Sequence, residues 1–105
     1  MTRNDAIIEV VGLPAAPLDA AAAFHREWVP KVRGLMQENN VVVIFDPADH
    51  THQGWRLSAV QELAREAAPQ RVNGVESEDA QAVSETLFYL QSADGVTGQI
   101  FTLAE

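Results

Sequence analysis

A chain of 105 residues with 47% apolar and 21% charged side chains and no low-complexity run is long enough for one buried core, and residues 1–105 read as a single domain. Its 15 acidic against 7 basic residues give a net charge of −8, a field that repels a phosphate backbone or an anionic bilayer and argues against nucleic acid and membrane partners. Absent cysteine rules out disulfides and thiolate metal sites. With no apolar run approaching about 18 residues and no apolar signal core behind Met1, the expected setting is cytoplasmic.

Residues 6–11, Ala-Ile-Ile-Glu-Val-Val, are a β-branched run closed by Gly12 and Pro14, and predict a mostly buried strand. Residues 18–36 carry helical spacing, with Leu18, Ala21, Ala22, Val29, Val32 and Met36 on one face and Asp19 in the first turn. Pro30 is expected to bend that helix. Residues 41–45, Val-Val-Val-Ile-Phe, are continuously apolar, as a central parallel strand covered on both faces requires. A polar loop over 46–53 leads to a helix over 55–68, with Val60, Leu63, Ala64 and Ala67 inward and Pro69 as its stop. A strand over 71–75, a helix opened by Glu78 and Asp79 and running to Gln91 (Ala80, Val83, Leu87 and Leu90 inward), and a strand over 98–103 complete the chain. Strands alternating with helices imply an α/β fold: about four mainly parallel strands and three helices in three layers.

Three segments in this order resemble the C-terminal half of short-chain dehydrogenases/reductases. They are Trp28-Val29-Pro30 with residues 41–45, then residues 64–69 leading into Arg71-Val72-Asn73, then residues 83–92 leading into Val96-Thr97-Gly98-Gln99. The resemblance covers about residues 18–103 and implies half of a Rossmann-like sheet. In that family a glycine-rich first turn cradles the dinucleotide, and a Tyr-x-x-x-Lys pair relays the proton. Here the six glycines, at 12, 34, 54, 74, 95 and 98, make no such turn, and the single tyrosine, Tyr89, and single lysine, Lys31, stand 58 positions apart in the wrong order.

Counting back from Pro69, the family's tyrosine and lysine fall near Asp49 and Gln53, and its serine near Asp46 or Pro47. Glutamine has no charge with which to lower a neighbour's pKa, and an aspartate is ionised near pH 7 and has no proton to give. The Pro-Gly that usually follows Arg-Val-Asn is replaced by Gly74-Val75-Glu76. The resemblance therefore implies a non-catalytic relative with no cofactor.

His50, His52, Asp46 and Asp49 form the one cluster with metal-ligand chemistry, since two imidazoles two residues apart and a carboxylate suit zinc or nickel. Turn contacts of Asp46-Pro47 and Asp49 in a solvated loop explain the same residues, and no metal is assigned. His25, between Ala22 and Val29, reads as a hydrogen-bonded core or interface group. Glu76, Glu78 and Asp79 read as favourable charge at a helix start. Ser58 and Ser84 lack a nucleophile elbow.

Phe24, Trp28 and Leu35 lie beside the inward stripe of the first helix and read either as a broad core-facing arc with Trp28 at its rim or, with Trp55 and Leu57, as a subunit interface. In the resembled family the corresponding helices pack across a two-fold as a four-helix bundle, and the last helix with residues 96–103 corresponds to a second common contact surface. Ile7 and Ile8 lie on a strand whose outer edge has no partner, to be covered by the N-terminal residues, by a second copy running antiparallel, or by a different protein. The expectation is a non-catalytic homodimer, or a partner of a related dehydrogenase. The alternatives are a ligand- or metal-binding protein or enzyme using the loop 46–52, and one half of a two-protein oxidoreductase.

Overall fold

A computed structural model describes residues 5–103 of the chain. Four strands, β1 (Ala6–Val10), β2 (Val41–Phe45), β3 (Val72–Glu76) and β4 (Ile100–Thr102), pair in the order β1-β2-β3-β4, all parallel. Sequential parallel strands need crossovers, and helices supply them. The helical run between β1 and β2 comprises α1 (Pro17–Ala23), a π-helical turn (Phe24–Trp28) and α2 (Val29–Leu35). α3 (Gln53–Ala67) joins β2 to β3, and α4 (Ala80–Gln91) joins β3 to β4.

The alternation of β2 divides the core. Val41, Val43 and Phe45 face the helices α1 to α3, whereas Val42 and Ile44 face α4 with Val75, Val83, Leu87 and Leu90. The result is the expected three-layer, Rossmann-like half. On the α4 side a single helix covers the sheet, and β1 is left uncovered on that face.

The first helical run differs from its expected stripe. Leu18 is 87% exposed and Ala22 is exposed, while Ala20, Ala23 and Phe24 are buried. The π turn is the cause. Val29 N–H donates to Phe24 O, five residues back, so the buried face steps from Phe24 to Val29 and resumes ordinary spacing at Val32 and Met36. Pro30, which has no N–H to give, stands at the start of α2 directly after the widened turn. The expected bend is thus a π turn, and it rotates the first half of the run relative to the second. His25 falls on the outer side, where its Nδ1 lies 2.8 Å from Ala21 O.

α3 keeps its expected stripe: Val60, Leu63, Ala64 and Ala67 are all buried, together with Ala59 and Arg56. α4 is capped by Asp79, which accepts from Gln81 N–H and Ala82 N–H at 3.0 and 3.2 Å. Of its expected inward residues Leu90 is buried, Val83 and Leu87 are half-buried, and Ala80 is exposed. Gly74 allows β4 to lie close, because a Cβ there would meet Ile100 Cγ1 at 3.1 Å.

Arg33 of α2 and Glu66 of α3 form a two-pronged pair, Nε to Oε1 and Nη2 to Oε2, both 2.9 Å. The guanidinium holds the Glu66 carboxyl below its ordinary value. A carboxyl lowered on folding stabilises the native state above its unfolded pKa, and that contribution is lost as pH falls through the folded value. The stability difference between the wild type and Glu66→Gln is therefore expected to shrink from pH 7 to pH 3, read as urea midpoints. A constant difference would show that the pair contributes nothing through charge.

Candidate functional site

Open parallel sheets bind ligands beyond the carboxyl ends of their strands. At that end the loop after β1 (12–15), the loop after β2 (46–49), the short 3₁₀ turn His50–His52 and the first turns of α3 converge. A cavity of about 210 Å³ lies among Gly12, Ala15, Asp46, Ala48, His52 and Arg56.

The loop is organised locally. Asp49 caps the 3₁₀ turn, accepting from the backbone N–H of Thr51 at 2.9 Å and from its hydroxyl. The Thr51 hydroxyl, then its N–H, hold the Asp49 carboxyl below its ordinary value. His52 is buried and both its ring nitrogens are engaged: Trp55 Nε1–H donates to Nδ1 at 3.0 Å, and Nε2 reaches Ala15 O at 3.1 Å. An Nδ1 that accepts leaves the proton on Nε2, so neutral His52 ties the β1 loop to α3. His50 is exposed, and no group of three or more metal-ligating side chains forms among the described residues. His52 joins the loop after β1 to α3.

Beneath it lies a pair that the residue pattern did not single out. Arg56 Nη1 donates to Glu76 Oε2 at 2.7 Å and to the Asp46 backbone O at 2.9 Å, with the two side chains 6% and 9% exposed. The guanidinium stacks on Phe45, 4.6 Å from the ring centre, and lies 5.7 Å from Trp55. Glu76 is thus the acid partner of a buried pair at the end of β3, whereas Asp79 caps the helix. The signal was present in α3: Arg56 is the one cation in line with Val60, Leu63 and Ala67.

The Arg-Val-Asn and Val-Thr-Gly-Gln segments meet, and their side chains stitch two strands. Asn73 Nδ2 donates to Val96 O at 3.0 Å while its Oδ1 accepts from Gln99 N–H at 3.1 Å, so the amide imitates a strand backbone. Val72 N–H donates to Thr97 Oγ1 at 3.1 Å, and Gly98 N–H to Val72 O at 2.7 Å, with Gly98 at φ +72°. Arg71 is buried and donates from Nη1 to Leu90 O and Ala93 O at 3.0 and 2.6 Å. This interlock explains why the two motifs occur together. Residues 8–103 match the profile of a family described as short chain dehydrogenase-like protein. The chain belongs to the short chain dehydrogenase-like family. No curated protein matches it, and no solved structure does.

Against the family's proton relay, Asp49 is spent on capping, and Gln53 is an exposed first residue of α3. Lys31 lies over the Trp28 ring at 4.4 Å on one face of the sheet, and Tyr89 packs edge-on to Phe101 on the other. In this dehydrogenase-like chain tyrosine and lysine are on opposite sides.

The residues offered as an interface are dispersed. Phe24 is wholly buried, in contact with Phe45 and Trp55, and belongs to the core. Trp28, Leu35, Trp55 and Ile8 are half-buried against that core, and Leu57 is partly exposed. Large apolar exposure falls at Ile7 of β1, 49% exposed, at Val11 just after it, 57% exposed, at Leu18 of α1, and on α4 at Phe88 and Tyr89. Ile7, Glu9 and Val11 floor a groove of about 430 Å³ flanked by Val83 and Leu87. The first four residues, one possible cover for the β1 edge, lie outside the described residues. Among the described residues no helix is long and apolar enough to cross a membrane.

Proposed function

We propose that this dehydrogenase-like chain is non-catalytic and acts by association, as a homodimer through the open edge of β1. The exposed apolar residues at that edge, Ile7 in the strand and Val11 just beyond its end, carry the reading. They stand beside backbone donors and acceptors that pair with no strand among the described residues, a combination that invites another strand. The lack of a glycine-rich turn and of an adjacent tyrosine and lysine supports a role outside hydride transfer. Assembly with a related dehydrogenase uses the same edge.

A second reading is favoured by the cavity beside Arg56 and His52: a small molecule bound at the carboxyl ends of the strands. A melting scan with nicotinamide dinucleotides and divalent metals separates the two. A ligand at 100 times its dissociation constant stabilises by about 2.7 kcal/mol, several degrees for a domain of this size. The association reading expects no shift, and a dimer by sedimentation at tens of micromolar. A pure monomer with a clear shift would replace it with the second.

A further inference from the structure

Given the association proposed above, we infer that the second copy pairs antiparallel with β1 in one register, with Ile8 opposite Ile8 on the two-fold axis. Ala6 N–H donates to Asn40 O at 2.8 Å, so the backbone groups of Ala6, Ile8 and Val10 turn toward β2. Strand alternation turns those of Ile7 and Glu9 toward the open edge. Among the described residues no strand lies on that side.

A two-fold axis normal to the sheet keeps each face on its own side, so a residue can stand opposite only a residue of the same parity. Three registers then bring the outward groups together. Centred on Glu9, the axis sets Glu9 against Glu9. Centred on Ile7, it sets Glu9 against Asp5, which precedes the strand and whose carboxylate accepts from Asn40 Nδ2 at 3.3 Å. Both place like charges directly opposite, which is destabilising, in a chain that already carries a net charge of −8.

Centred on Ile8, the axis sets Ile7 against Glu9 and Asp5 against Val11, and no carboxylate faces another. Ile7 and Glu9 then exchange backbone hydrogen bonds with their counterparts, and Ile8 meets its own copy in the closer, non-hydrogen-bonded kind of pair. The two Ile7 side chains become diagonal neighbours on the α4 face, beside the groove they floor. Of the three registers that set Ile7 or Glu9 against one another or themselves, this one alone keeps like charges apart.

The chain has no cysteine, so an introduced one reports without interference. In a non-hydrogen-bonded antiparallel pair the Cα atoms are about 4.5 Å apart, inside the disulfide range of about 4.4–6.8 Å. Two copies of residue 6 would stand about 13 Å or more apart at roughly 3.4 Å per residue. Oxidised Ile8→Cys is expected to give at least tenfold more linked dimer than Ala6→Cys. The double variant Ala6→Cys and Val10→Cys reads the same register from a directly opposite pair, should Ile8→Cys not fold. Glu9→Pro removes an N–H on the open side while sparing the ladder to β2, and is expected to keep the melting transition and lose the dimer.

A wild-type dimer that links through neither cysteine variant, or that survives Glu9→Pro, overturns the register and leaves association standing. A wild-type monomer at tens of micromolar that links through neither variant removes both.

Discussion

Arg56→Met is expected to lower stability by about 3–5 kcal/mol, because it leaves the Glu76 carboxylate buried without its cation. At about 4 °C or more per kcal/mol for a domain of this size, the melting temperature should fall by more than 10 °C. Methionine fills much of the same volume against Phe45 and Trp55, so lost packing is a minor part of the effect. The pair itself is another matter. Two ions taken out of water are expensive, and Arg56 Nε finds no partner in the interior. The double variant Arg56→Met with Glu76→Leu should therefore recover most of the loss, since an apolar replacement of a buried pair is often neutral or better. A single variant as stable as the wild type would mean that Glu76 reaches water. A double variant no better than the single one would mean that the pair is net stabilising.

Asn73→Leu should be nearly as damaging, by about 2–6 kcal/mol, because it strands Val96 O and Gln99 N–H, each at about 1–3 kcal/mol. The effect should be local as well as global. β4 is three residues long and held on one side only, so amide hydrogen exchange at Ile100–Thr102 should quicken before that of β2. Asn73→Asp tests the cause. A carboxylate still accepts from Gln99 N–H but cannot donate to Val96 O, and it sets two acceptors against each other. Its urea midpoint should not exceed that of Asn73→Leu by more than a small part of the wild-type gap. Exchange at β4 unchanged in either variant would show that the loop holds itself.

These two sites differ in how far the residues betray them. The Arg-Val-Asn and Val-Thr-Gly-Gln segments were visible as a family resemblance, but what joins them was not. Their bonds span 23 and 26 positions, and nothing in either segment says that an amide side chain will substitute for a strand. Arg56 and Glu76 were each visible, one as a cation in line with an apolar stripe and the other among three acids. Read alone, Glu76 looked like a helix-start charge. Only the pairing of β2 with β3, and the seating of α3 across them, brings the two within 2.7 Å.

Of the two readings of the first helix, the core-facing arc holds for Phe24, and the reason is local. Phe24, Trp28 and Leu35 form a row at ordinary helical spacing, but the helix is not ordinary between 24 and 28. One extra residue in the turn rotates what precedes it, taking Phe24 into the core and Leu18 out to solvent. Pro30 signalled a disturbance without saying which kind.

By itself the sequence determined the order of strands and helices, the parallel sheet with residues 41–45 at its centre, and the family. These follow from local periodicity and from turn residues, which act over a few positions. Tertiary structure alone decided that Phe24 is core, that His52 bridges the loop after β1 and α3, and that an ion pair lies beneath it. It also decided that Ile7, Leu18, Phe88 and Tyr89 are left at the surface. Burial and pairing depend on which distant element arrives at a given face, and periodicity along the chain carries no record of that.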